Sequence, residues 1–108
     1  MSKLIILKIG GALLQQPEAL SDCLRYFHEL PGHKILVHGG GRRASQVSKA
    51  LGITPRMHEG RRLTDEATLE VVTMVYAGLE NKRTVAQLQA FGCPAIGLSG
   101  ADARSEER

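Results

Sequence analysis

The stretch Lys3-Leu4-Ile5-Ile6-Leu7-Lys8-Ile9 runs directly into Gly10-Gly11, and Lys34-Ile35-Leu36-Val37-His38 runs into Gly39-Gly40-Gly41. A short apolar run rich in β-branched residues indicates a buried strand, as in a parallel sheet covered on both faces. Glycines at the carboxyl end of such a strand leave backbone N–H groups facing a ligand with no Cβ in the way. A helix that follows adds a dipole that favours an anion there. The two turns therefore predict a site for phosphate or carboxylate oxygens.

Length and composition restrict the class of protein. A chain of 108 residues with 43% hydrophobic residues is typical of one ordinary globular domain. Its net charge of +3 without a long basic tract, and its lack of tryptophan, argue against nucleic-acid binding. No apolar run approaches membrane-spanning length and no leader is visible, so we expect a cytoplasmic protein. Cys23 and Cys93 lie far apart and away from metal-ligand spacing, which predicts reduced thiols and no metal site.

The remainder of the chain predicts helices that alternate with strands. Pro17 opens a helix, and a second short helix follows the triple glycine, which gives the β-α-β-α order of a parallel sheet. Residues 53–63 predict a small hairpin or an extended loop, Thr64 is expected to cap the next helix, and residues 95–98 predict a third parallel strand. We therefore expect an α/β fold.

Two helices are predicted between the hairpin and the third strand. The first carries an apolar stripe formed by Leu69, Val72, Val75, Tyr76 and Leu79, and Val71 and Met74 widen this stripe. Its width suggests that it buries more than one face, against the sheet and against a partner chain. The second helix ends at Gly92.

Lys8 is the first candidate catalytic residue, because burying a charge at the end of a strand costs free energy unless that charge faces a ligand. The alternative is a solubilising lysine, as expected for Lys3 and Lys34. The glycine runs could be ordinary turns, and neither matches a dinucleotide-binding or P-loop pattern. Three successive glycines before a helix nevertheless favour a binding role, since one usually suffices for a turn.

Several polar residues admit two interpretations. Arg62, in the pair Arg61-Arg62, is either a solvated surface residue or a bidentate clamp for a carboxylate. Arg42 and Arg43 either bind an anion or face solvent at the start of a helix. We expect His38 to be a hydrogen-bonded core histidine rather than a base, and residues 81–83 to be a helix junction with solvated charges.

Five segments together resemble the amino-acid kinase superfamily and, within it, the N-acetylglutamate kinase family. They are residues 8–14, 37–41, 60–65, 74–82 and 96–102. The resemblance implies a three-layer αβα sandwich with a mostly parallel sheet. It also implies transfer of the γ-phosphoryl group of ATP, with Mg²⁺, to the side-chain carboxylate of N-acetyl-L-glutamate in arginine biosynthesis.

The same resemblance assigns roles to residues of this chain. Lys8 would stabilise the transferring phosphoryl group, and Gly10 and Gly11 would lie at the phosphate, Gly11 offering its amide. Gly40 and Gly41 would bind the substrate, and Arg62 would hold its α-carboxylate. The acceptor carboxylate is already ionised at neutral pH, so no general base is required. What the reaction needs is charge neutralisation by fixed amides, a lysine and magnesium.

The family extends well beyond residue 108 and carries most of its ATP site there. We therefore expect residues 1–108 to be the N-terminal, acyl-amino-acid-binding lobe, inactive without an ATP-binding lobe, and a homodimer insensitive to arginine is implied. Two alternatives stay open: an acyl-aminoadipate kinase of lysine biosynthesis, and a non-catalytic dimerising or substrate-binding module. The acyl group, acetyl or succinyl, is also open.

Overall fold

A computed structural model describes residues 3–40, 42–54, 56–63 and 65–102, with only the backbone described for residues 56, 57 and 61–63. In chain order the elements are β1 (Leu4–Lys8), a 3₁₀ turn (Gly11–Gln15), α1 (Pro17–Glu29), β2 (His33–Val37), α2 (Arg43–Ala50), β3 (Arg56–His58), β4 (Arg61–Leu63), α3 (Glu66–Val72), a π-helical segment (Thr73–Glu80) and α4 (Asn81–Ala90). The expected α/β class, the β-α-β-α order and the hairpin are confirmed.

The strands β1 and β2 form a two-stranded parallel sheet in which Lys8 lies opposite Val37. The pairing continues one step further, because the Ile9 N–H donates to the Val37 carbonyl at 2.9 Å. The carboxyl ends of both strands, and the glycine turns that follow them, therefore lie at one edge of the sheet. β3 and β4 pair separately as an antiparallel hairpin.

One face of the sheet packs on helices α1 and α4. The buried cluster beneath it consists of Ile9, Leu20, Leu24, Phe27, Leu88 and Cys93. A second buried cluster joins α2 to the helix after the hairpin and consists of Ala44, Val71 and Val75. On the other face of the sheet, the side chains of Leu4, Ile6, Ile35 and Val37 are between 42% and 63% exposed, so the expectation that these strands are buried on both faces is wrong for the described part of the chain.

The third parallel strand predicted at residues 95–98 is wrong, since the described part of this segment pairs with no strand. Its carbonyl groups bond to side chains of α4 instead. The Asn81 Nδ2 donates to the Leu98 carbonyl at 3.1 Å, and the Lys82 Nζ donates to the Gly97 carbonyl at 3.1 Å. Residues 95–98 have the alternating sequence typical of a strand but form no ladder of backbone hydrogen bonds, and Ile96 is 84% exposed.

The two helices predicted after the hairpin form one continuous helical run from Glu66 to Ala90, whose middle part is π-helical. Of the apolar positions predicted on it, Val71 and Val75 are buried, whereas Leu69 and Met74 are 47% and 52% exposed. The N-cap is Asp65, whose side chain accepts a hydrogen bond from the Thr68 N–H at 2.8 Å. Thr64, the predicted cap, lies outside the described residues. None of the helices in the described ranges is long and apolar enough to cross a membrane.

Candidate functional site

The carboxyl edge of the sheet brings together the residues that the sequence singled out in two distant segments. Lys8 ends β1 and is followed by Gly10 and Gly11, while β2 is followed by Gly39 and Gly40. This edge is where open α/β sheets bind their ligands. The structure thus places both glycine turns at this edge of the sheet, which we call the rim.

The glycines of this rim fall into two kinds. At Gly10 and Gly39 an added Cβ would meet no atom within 4 Å in the described part of the chain, and neither residue has a positive φ. The described fold therefore does not require glycine at either position. At Gly40, in contrast, an added Cβ would overlap the ring of Tyr76. Gly40 is buried and allows that ring to lie directly on its backbone.

The 3₁₀ turn after β1 presents backbone donors to the rim. Gly10 caps it in an extended conformation, and its carbonyl accepts from the Leu13 N–H at 3.1 Å. The N–H of Gly11 comes before the first hydrogen bond of the turn and is not used by it. Lys8 is exposed, on the same face of the sheet as Ile6, and it forms no ion pair within the described ranges. An amide and an ammonium group thus lie at one strand end.

Tyr76, which the sequence placed in an ordinary apolar stripe, belongs to the π-helical segment Thr73–Glu80. A π-helical stretch changes the phase of the side chains around a helix, and such stretches are frequent at functional sites. Here the segment carries the aromatic ring that packs on Gly40. The 3.6-residue periodicity used to read the sequence does not hold through this segment, so the contact could not be predicted from it.

A chain of polar contacts backs the second glycine turn. The His38 Nδ1 lies 2.8 Å from the Gly39 carbonyl, and its Nε2 lies 3.4 Å from the Asn81 Nδ2. The predicted hydrogen bonding of His38 is confirmed, although the residue is half-buried rather than in the core. Lys82 and Arg83 are exposed, as predicted for the charges at residues 81–83, whereas Asn81 is 8% exposed and is held by Lys82 and by the Leu98 carbonyl.

A buried carboxylate joins the start of α2 to the end of the π-helical segment. Glu80 is 4% exposed, and its Oε1 lies 3.8 Å from the Nε of Arg43. Arg43 therefore matches neither of its two interpretations, because it faces a carboxylate of the same chain. Nothing in the local sequence marks Glu80 as buried, since a carboxylate at a helix junction is usually exposed.

Two predicted site residues cannot be placed. Gly41 lies outside the described residues, and the Arg62 side chain does too, although the backbone of Arg62 forms part of β4. Among the residues that the structure describes, no cluster of His, Cys, Asp and Glu could hold a metal ion.

This chain has an α/β fold with glycine turns and a lysine at one edge of its sheet. Such an arrangement is typical of proteins that bind anions at that edge. The profile of the amino acid kinase family matches residues 3–108. The chain therefore belongs to the amino acid kinase family.

The similar curated proteins include several named acetylglutamate kinase. The protein from Cytophaga hutchinsonii is 56% identical over 95% of this chain, and the one from Parabacteroides distasonis is 50% identical over 100% of it. The protein from Methanopyrus kandleri is 45% identical over 90% of the chain. These matches cover 39%, 44% and 37% of the three relatives, so the chain spans about two fifths of their length.

Two solved structures share the fold. The crystal structure of smu.665 from Streptococcus mutans matches 85% of this chain with a TM-score of 0.68 and 22% identity, and the match covers 38% of that chain. N-acetylglutamate synthase from Neisseria gonorrhoeae, complexed with coenzyme A and L-arginine, matches 89% of this chain with a TM-score of 0.53 and 23% identity, over 22% of its own length. At these identities the likeness concerns the fold alone.

Proposed function

We propose that the complete protein transfers the γ-phosphoryl group of ATP, supplied as its Mg²⁺ complex, to the side-chain carboxylate of N-acetyl-L-glutamate. The observation that carries this proposal is the shared rim on which Lys8 and two glycine turns meet. The family membership and the names of the relatives support a kinase. In this proposal residues 1–108 are the lobe that binds the acyl-amino acid, and most groups that hold ATP lie outside them.

The reaction joins a carboxylate oxygen of the acceptor to the γ-phosphorus while the bond from that phosphorus to the β–γ bridging oxygen breaks. The products are an acyl phosphate and ADP. The side-chain carboxyl group of the acceptor has a pKa of about 4.3, so it attacks as an anion and gives up no proton. The barrier is therefore the approach of one anion to another, and positive or N–H groups fixed at the point of contact lower it.

Each predicted site residue has a role in the proposed reaction. The Lys8 ammonium neutralises charge on the transferring phosphoryl group, and the amides at Gly10 and Gly11 face the same group. The amides of Gly40 and Gly41 bind the acceptor, and Arg62 holds its α-carboxylate by a bidentate contact. Mg²⁺ arrives with the nucleotide and offsets charge on its phosphates.

The test is to incubate the complete protein with MgATP and N-acetyl-L-glutamate and to trap the acyl phosphate as a hydroxamate with hydroxylamine. N-acetyl-aminoadipate and N-succinylglutamate are assayed in parallel, because the rim does not fix the length of the acceptor or its acyl group. Hydroxamate formed fastest from N-acetyl-L-glutamate supports the proposal. Faster reaction of either other acceptor reassigns the substrate, and no hydroxamate from any of them refutes the proposed function.

We also propose that the protein acts as a homodimer in the cytoplasm. Leu69 and Met74, on the helical run after the hairpin, are 47% and 52% exposed and provide apolar surface for a second copy. Light scattering after size-exclusion chromatography of the complete protein measures the state directly. A monomeric mass at micromolar concentration would exclude the dimer.

A further inference from the structure

The side-chain amide of Asn81 is fixed in one orientation by two neighbours. The Lys82 ammonium, which has only donors, lies 3.3 Å from Oδ1, so that atom is the amide oxygen. The other end of the amide lies 3.1 Å from the Leu98 carbonyl, which only accepts, so that atom is the amide nitrogen. A flipped amide would place donor against donor and acceptor against acceptor, and Asn81 is only 8% exposed to water that could relieve this.

This orientation determines which nitrogen of His38 carries the proton. The Asn81 Nδ2 lies 3.4 Å from the His38 Nε2, and since Nδ2 is a donor, Nε2 must be the acceptor. The proton of the neutral ring is then on Nδ1, which lies 2.8 Å from the Gly39 carbonyl and donates to it. Lys82, Asn81, His38 and Gly39 thus form a chain of donors and acceptors with a single consistent direction.

The last link of the chain acts on the peptide between Gly39 and Gly40. That peptide is planar and trans, so its carbonyl and its N–H point in opposite directions. Holding the Gly39 carbonyl toward His38 therefore turns the Gly40 N–H away from the imidazole. No hydrogen bond within the described part of the chain uses this N–H. The ring of Tyr76 packs on Gly40 and limits movement of its backbone.

We propose that His38 and Asn81 are positioning residues that aim the Gly40 N–H at the oxygen of a bound N-acylated amino acid. The proposal rests on the proposed function, in which Gly40 binds that acceptor. Neither side chain needs to touch the acceptor, because the effect passes through the peptide plane. Their loss is therefore expected to weaken acceptor binding and to leave ATP binding unchanged.

The first experiment measures the tautomer and does not depend on any activity. Long-range ¹H–¹⁵N correlation spectra of the complete protein, labelled at histidine, distinguish a protonated Nδ1 from a protonated Nε2, and the His38→Phe spectrum assigns the signal. We expect Nδ1–H in the unmodified protein and a mixture of tautomers in Asn81→Leu. An Nε2–H tautomer in the unmodified protein would overturn the proposal.

The second experiment separates positioning from general stability. His38→Phe keeps a ring of similar size without nitrogens, and His38→Asn retains an N–H donor near the place of Nδ1. The matched control is His33→Phe, the same change at the exposed start of β2, at the opposite end of the strand. We expect His38→Phe to raise KM for N-acetyl-L-glutamate about tenfold, with KM for ATP unchanged, His38→Asn to recover most of this loss, and the control to match the parent.

The outcomes keep the two proposals apart. A parent protein that phosphorylates no acyl-amino acid refutes the proposed function, and with it the positioning role. An active parent whose acceptor KM is unchanged in both His38→Phe and Asn81→Leu refutes only the positioning role. A fall in thermal stability and in the apparent kcat, with KM unchanged, would likewise assign the pair to the fold alone.

Discussion

Replacing Gly39 and Gly40 by alanine, one at a time, is expected to give opposite effects on stability. A Cβ at Gly39 meets nothing within 4 Å in the described chain, and its φ is not positive, so Gly39→Ala should gain about 0.4–1 kcal/mol by restricting the unfolded state. A Cβ at Gly40 overlaps the Tyr76 ring, and overpacking of this kind costs about 1–3 kcal/mol. The two variants should therefore differ by about 1.5–4 kcal/mol in free energy of unfolding.

The assay is urea unfolding of the complete protein, followed by circular dichroism, with Tyr76→Ala and the double variant Gly40→Ala/Tyr76→Ala completing a cycle. Because removal of the ring makes room for the new methyl group, the double variant should be more stable than the sum of the single changes by about 1 kcal/mol. Equal destabilisation by Gly39→Ala and Gly40→Ala would refute the reasoning. So would a strictly additive double variant.

The same pair of variants also tests the rim as a binding site. If the space over Gly39 is occupied by the acceptor, Gly39→Ala should weaken binding of N-acetyl-L-glutamate in calorimetric titration while the free protein is more stable than the parent. A methyl group tolerated by both the fold and the ligand would show that nothing approaches Gly39.

Four other predictions concern the chemistry and the helix cap. Lys8→Ala should lower kcat about a hundredfold in the hydroxamate assay of the complete protein, whereas Arg62→Ala should mainly raise acceptor KM, about tenfold. An unchanged rate in Lys8→Ala would remove that residue from the mechanism. Residues 1–108 alone should form no acyl phosphate, because half of the charge-neutralising groups of the proposed site lie outside them, and any trapped hydroxamate would contradict this. Asp65→Ala should cost about 1 kcal/mol in urea unfolding through loss of the bond to the Thr68 N–H, and Asp65→Asn should restore it.

The parts of the fold that follow from local pattern were predictable. The apolar runs that end in glycine gave β1 and β2, and Pro17 gave the start of α1, because strand and helix periods are properties of adjacent residues. Parallel pairing then placed both glycine turns at one edge. This part of the candidate site needed no information on tertiary contacts.

The wrong predictions concern residues whose hydrogen bonds or burial depend on partners that are distant in the sequence. Residues 95–98 have the alternation of a strand, yet their carbonyls bond to Asn81 and Lys82, which the sequence gave no reason to connect with them. Burial of Glu80 beside Arg43 is equally nonlocal. Leu69 was expected in the buried stripe and is 47% exposed, and the π-helical segment that begins at Thr73 changes the helical period for the positions after it.

The π-helical segment Thr73–Glu80 affects the meaning of small differences in length between this protein and its relatives. A π-helical stretch contains more residues per turn than the α-helix around it, so it accommodates surplus length without shifting the flanking turns out of place. A homologue with one residue fewer between Thr73 and Glu80 would form an ordinary α-helix through this segment. Its aromatic ring would be rotated by about 100° around the helix axis, away from the backbone at position 40. A single gap in an alignment at this point would therefore mark the loss of the contact between the ring and Gly40 rather than a neutral change in length.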